Sequence, residues 1–139
     1  MIVLDTNVLA ELMRPAPSRQ VERWLREQPV ASLFTTTITE AEMLFGVELL
    51  PPGKRRAAIE GAVEAMFDED FADRVLTFDG AAAHAYATIA AARRKAGRPI
   101  AQFDAQIAAI ARSRGAAIAT RNVADFADCG VPAIDPWAE

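Results

Sequence analysis

The 139 residues suffice for one domain with its own core and are too few to divide comfortably into two. Apolar residues make up 52% of the chain and aromatics only 7%, a balance that favours closely packed helices over an all-β sandwich. One cysteine, Cys129, and one histidine, His84, exclude an internal disulfide and a structural zinc site, and a net charge of −4 argues against a broad basic surface for nucleic acid. The start Met1-Ile2-Val3-Leu4-Asp5 carries no basic leader, long apolar run or cleavage signal, so the expected compartment is cytoplasmic.

In chain order, Ile2-Val3-Leu4 is a short, wholly apolar run, the pattern of a parallel strand buried on both faces. Asp5-Thr6-Asn7 follows with three residues that favour helix starts, and Val8 to Arg14 reads as a short helix stopped by Pro15 and Pro17. Helical spacing resumes from Ser18 with Val21, Trp24 and Leu25 and ends near Pro29. Leu33-Phe34-Thr35-Thr36 is a second strand, and Thr39 is expected to open a helix that Pro51-Pro52-Gly53 closes. Lys54 to Phe71 reads as helix with an interruption around Gly61, and Val75 to Phe78 as a third strand. Asp79-Gly80 leads into an Ala-rich helix to about Ala96; Gly97-Arg98-Pro99 forms a loop. A further helix runs from about Gln102 to Arg114 and ends at Gly115, a residue suited to a left-handed helix end. Ala117 to Thr120 is a fourth strand and Val131 to Ile134 a short fifth. Short apolar strands alternating with helices predict one α/β domain over residues 1–139, a three-layer α/β/α sandwich around a mainly parallel sheet of about five strands.

Ligands of open α/β sheets bind beyond the carboxyl ends of the strands, so the acids found there carry the functional reading. Asp5 ends the first strand, and Glu42 falls in the first turn expected after the second. Asp104 opens the helix before the fourth strand, and Asp125 follows that strand. Each has a local explanation. Asp5 suits a helix cap, Thr39-Glu40-Ala41-Glu42 fits a capping box, and Asp104 suits a helix N-terminus. Asn122 to Asp125 suits another cap. Four carboxylates at one edge repel unless cations neutralise them, and hard oxygen ligands suit Mg²⁺ or Mn²⁺, one or two ions. Without these four acids, fifteen charges of each sign remain, so a metal site would account for the adverse net charge.

These residues resemble the PIN-domain ribonucleases, especially the VapC/FitB-type toxins of bacterial toxin–antitoxin pairs. The likeness rests on Val3-Leu4-Asp5-Thr6-Asn7-Val8, Thr39-Glu40-Ala41-Glu42 with Gly46, Asp104-Ala105-Gln106-Ile107-Ala108-Ala109, and Ala119-Thr120-Arg121-Asn122 with Asp125-Phe126. The resemblance implies a Mg²⁺- or Mn²⁺-dependent endoribonuclease with Asp5, Glu42, Asp104 and Asp125 as the acidic quartet. It assigns supporting places to Asn7, Thr120 and Asn122. It implies RNA as substrate, a small cognate antitoxin as partner, a homodimer or a higher assembly with that antitoxin, and promoter binding by the complex. Where the family often closes with Asn-Pro-Trp, this chain has Asp135-Pro136-Trp137, so Asp125, Asp128 and Asp135 compete for the fourth acidic position.

Two other functions stay open. One is a non-catalytic PIN-like protein-binding module. The other is an Asp5-nucleophile phosphatase, although Asn7 stands where such enzymes usually carry a second Asp. His84 reads as an ordinary helix-face residue, Cys129 as structural, and Trp24 and Trp137 as packing anchors. Lys54-Arg55-Arg56 and Arg93-Arg94-Lys95 read by default as solvated helix faces. Arg98 and Arg121 are the candidate contacts for RNA or antitoxin. The Leu9 to Leu12 turn and the Leu44 to Leu50 segment are either core or a groove for a partner helix.

Overall fold

A computed structural model describes residues 1–138. Its strands are β1 (Ile2–Leu4), β2 (Leu33–Thr36), β3 (Val75–Leu76), β4 (Ala117–Ala119) and β5 (Ala133–Ile134). Its helices are α1 (Thr6–Leu12), α2 (Arg19–Arg26), α3 (Thr37–Glu48), α4 (Lys54–Ala65), α5 (Gly80–Lys95) and α6 (Gln102–Ser113). The strands form one sheet in the order β3-β2-β1-β4-β5, and every neighbouring pair is parallel.

Period-two alternation splits the core between the two sheet faces. Val3 and Ile118 point to the side covered by α5 and α6, where Ala82, Ile89, Ile107 and Ile110 are buried. Leu4 and Ala119 point to the other side, against Val8, Leu9, Val21, Val47, Val63 and Phe67. The helices α5 and α6 pack on one another and carry buried alanines, among them Ala82, Ala105 and Ala108, whose small side chains suit a close approach. At the end of α6, Gly115 takes φ +65°, the Ala116 amide donates to the Ala111 carbonyl and the Gly115 amide to Arg112. This turn satisfies the orphan carbonyls of the last helical turn and aims the chain into β4.

The expected elements are present, with shifted limits. The first helix begins at Thr6 and ends at Leu12, and the third strand stops at Leu76. Phe78 instead leaves the strand and stands edge-on to Tyr86, their ring centres 6.0 Å apart. Gly61 does not interrupt α4; the helix runs past it and loosens into a π-turn at Met66–Asp70. The helix expected to open at Thr39 begins two residues earlier, because β2 passes into it without a loop. Thr36 is its cap, its hydroxyl accepting the Thr39 amide at 3.1 Å. Thr39 and Glu42 therefore form no capping box, and Glu42 lies in the second turn of α3, not the first. No helix among the described residues is long and apolar enough to cross a membrane.

Candidate active site

The chain runs from β1 outward to β2 and β3, then returns to lay β4 on the opposite side of β1. That reversal leaves a crevice at the carboxyl ends of β1 and β4, where side chains from either half of the chain can meet. Asp5 and Thr120, the residues that follow these two strands, meet there.

Asp5 is 6% exposed and does two jobs. Its Oδ1 caps α1 by accepting the Thr6 amide at 2.8 Å, while its Oδ2 accepts the Thr120 hydroxyl at 2.9 Å. The Asn7 amide group donates to Thr120 Oγ1 at 3.2 Å and to Asp5 Oδ2 at 3.3 Å, and its Oδ1 accepts the Arg121 N–H at 3.2 Å. The Asn122 N–H also donates to Thr120 Oγ1, at 3.1 Å. Asn122 thus contributes through its backbone, and its side chain does not cap the short 3₁₀ segment Val123–Phe126. Burial raises the Asp5 pKa, the hydrogen bonds from Thr120 and Thr6 oppose the rise, and the charge of Asp125 adds to it.

Glu42 reaches the same edge from α3. Its Oε1 accepts the Thr6 hydroxyl at 2.9 Å, and that hydroxyl lies 3.1 Å from Thr39 Oγ1. Burial raises its pKa, with Thr6 opposing and Asp5 adding. Asp104, in the first turn of α6, is half-buried. Its carboxyl is pushed up to about 6, first by burial and then by the negative charges of Asp5, Asp125 and Glu42. Asp104 thus feels the charge of each of the other three acids.

Asp125, exposed on the 3₁₀ segment, is the rival for the fourth position whose charge is felt at both Asp5 and Asp104. Asp128 is paired with Arg98. Asp135 is a turn residue, its Oδ1 accepting the Trp137 N–H at 2.9 Å. Carboxylate oxygens in this number fit the chemistry of Mg²⁺ or Mn²⁺. Among the described residues, however, no three potential ligands converge as a ready-made chelate. An open set of this kind suits a hydrated ion, since Mg²⁺ is commonly held by one or two carboxylates together with water and substrate phosphates.

Several residues behave differently from expectation. Arg93 is no solvated helix-face residue but is 8% exposed, whereas Arg94 and Lys95 are exposed. Arg121 lies with its guanidinium 5.0 Å from the centre of the Trp137 ring. The two apolar segments divide: Leu9 and Val47 are core, while Leu44, Phe45 and Leu49 stand on the surface. Phe45, Ala41 and Glu42 border an apolar groove with Phe103 of α6, and Ala10, Met13 and Ile59 line a second groove between α1 and α4. Thr6 was not marked out as a supporting residue, although its place directly after Asp5, within the same block, was a usable signal. Glu11 is likewise buried on α1, where the Ser18 N–H first and Arg14 next lower its pKa and tie α1 to the start of α2.

A family profile described as PIN domain matches residues 2–130, and fold and crevice together define a domain of that class. The chain is 39% identical to "VapC ribonuclease Y4jK" of Sinorhizobium fredii over 137 residues, 99% of this chain and 98% of the relative. It is 36% identical to "Toxin FitB" of Neisseria gonorrhoeae over 137 residues, 99% of each. The crystal structure of FitAcB from Neisseria gonorrhoeae superposes with a TM-score of 0.90 at 34% identity, covering all of both chains. The chain belongs to the PIN-domain family, within its VapC/FitB-type toxin branch.

Proposed function

We propose that this protein is a Mg²⁺- or Mn²⁺-dependent endoribonuclease, the toxin of a toxin–antitoxin pair, with Asp5, Glu42, Asp104 and Asp125 as its acidic site. The observation that carries the reading is that four carboxylates from four separate segments border one crevice, where burial first and the charges of the other three next push Asp104 up to about 6. A fold does not retain such mutual repulsion for its own stability; a cation relieves it. A bound divalent ion would supply charge stabilisation to a phosphodiester under attack by water.

The chain's own residues divide the remaining work. Thr120 and Asn7 fix the orientation of Asp5, and Thr6 fixes Glu42, so these two carboxylates are already held before an ion arrives. Arg121, held over Trp137, and Arg98, paired with Asp128, stand as contacts for RNA or antitoxin. A relative is described as a ribonuclease and a solved neighbour as a member of the VapBC family of toxin-antitoxin systems, which supports a cognate antitoxin for this chain. The exposed Phe45, Leu49 and Phe103 support a second apolar contact, which we assign to a homodimer in the cytoplasm.

The test is cleavage of a defined RNA by the purified chain. Cleavage is expected with Mg²⁺ or Mn²⁺, and none in EDTA or in Asp5→Asn. RNA cut equally well under all these conditions would overturn the proposal. The looseness of the acid set is the one feature that would suit a non-catalytic module. Calorimetric titration with Mn²⁺ separates the two, since the module takes up no ion at millimolar concentration.

A further inference from the structure

Long cationic side chains are seldom buried unless a carboxylate pairs with them. Arg93, near the end of α5, is buried with none bonded to it among the described residues. Its Nε donates to the Arg98 carbonyl at 2.7 Å, and its Nη1 to the carbonyls of Asp125 and Ala127, both at 3.0 Å. Nη1 also lies 3.7 Å from Cys129 Sγ. The Arg98 amide returns a bond to the Arg93 carbonyl at 2.9 Å, closing a loop at the helix end.

These acceptors have a common property: they belong to the two segments that carry Asp104 and Asp125. Arg98 begins the loop into α6. Asn122 to Cys129 is a stretch with little regular structure of its own, its 3₁₀ segment Val123–Phe126 four residues long and without a side-chain cap. Asp128 within it has φ +59°, uncommon for a residue with a side chain. Phe126, 2% exposed, anchors this stretch from below; Arg93 is its polar anchor. Arg93, Asp104 and Asp125 moreover line one small cavity of about 170 Å³.

We propose that Arg93 is a positioning residue of the acidic site, its guanidinium fork fixing the backbone of Asp125 against the segment that leads to Asp104. The inference rests on the metal-site reading above. Planarity matters to it as much as charge. A guanidinium can serve the Arg98 carbonyl and the Asp125 loop together, whereas a lysine ammonium is a single point on a flexible stem.

The test uses the full chain with Arg93→Lys and Arg93→Gln, each alone and combined with Asp125→Asn. Mn²⁺ affinity is read by calorimetry, and amide hydrogen exchange in EDTA reports the order of residues 122–129 without any metal. Both single variants are expected to weaken Mn²⁺ binding by about 10- to 100-fold, the usual effect of losing a partner that holds a ligand. Exchange should quicken across 122–129 and stay unchanged in β4. In the Asp125→Asn background, replacing Arg93 should cause no further loss of affinity. An undiminished Mn²⁺ affinity, or an equally large loss in the Asp125→Asn background, would overturn the proposal. So would unchanged exchange in the loop. Should Arg93→Lys fail to fold, Arg93→Gln carries the same readouts. A wild type that takes up no Mn²⁺ would instead bring down the metal reading, and Arg93's role in it.

Discussion

Asp104→Asn should make the metal-free protein more stable while removing its metal response. The Asp104 carboxyl, raised from 3.8 to about 6, resists ionisation in the fold. At about 1.4 kcal/mol per unit, that shift corresponds to about 3 kcal/mol against the charged form. Solvent reaches this half-buried group, so screening reduces the effect to about 1–2 kcal/mol. The neutral isostere should recover that amount at about pH 7.5 in EDTA, a rise of roughly 3–6 °C in Tm for a chain of this size.

The pH dependence follows from linkage. A carboxyl whose folded pKa lies above its unfolded value stabilises the fold when protonated. Its contribution is complete below about pH 4 and is lost as pH rises through about 6. The advantage of Asp104→Asn should therefore shrink as the buffer is acidified through that window. With Mn²⁺ at a hundredfold excess over its Kd the wild type gains about 2.7 kcal/mol, and the order of the two proteins reverses. Thermal melts at two pH values, with and without Mn²⁺, give all these comparisons. A variant that is neutral or destabilised in EDTA, or whose advantage ignores pH, would refute the reasoning.

Thr120→Val keeps the shape of the side chain and removes the hydroxyl that donates to Asp5 and accepts from Asn7 and Asn122; Mn²⁺ affinity, read by calorimetry, should fall about 10- to 100-fold. Thr36→Ala removes the cap of α3 and should cost about 0.5–2 kcal/mol, seen as a lower urea midpoint with an unchanged slope. Ala108→Leu forces a larger side chain into the core, where Ala108 is fully buried, and should cost about 1–3 kcal/mol in the same assay.

The sheet and its order of elements were legible because parallel strands buried on both faces leave short apolar runs that few other structures require. Boundaries failed where several residues were equally fit for one role. Thr35, Thr36, Thr37 and Thr39 supply a row of competent caps, and the capping-box pattern at Thr39 and Glu42 selected the wrong one. What decided among them was that the hydrogen-bonded strand ends at Thr36, a tertiary fact. Of the proposed site, Asp5, Glu42, Asp104 and Asp125 were nominated by asking which acids follow strands or open helices at one sheet edge. Arg93 was missed because two exposed cations beside it made the triplet look solvated. Its spacing held the correct signal: Ala82, Tyr86, Ile89 and Arg93 continue one helical stripe, whose first three members pack on the core. Buried polar residues on an apolar stripe deserve the same scrutiny as acids at strand ends.

The bond between Thr120 and Asp5 joins residues 115 positions apart. A chain still under synthesis that has reached only α6 holds Asp5 and Glu42 but lacks Thr120, Asp125 and the loop that Arg93 fastens. Its first three strands can pair, yet β1 has no neighbour on its second side until β4 emerges. The proposed acidic site is therefore completed only when the final fifth of the protein folds back onto the first strand, and a ribosome-bound fragment short of that point is expected not to assemble it.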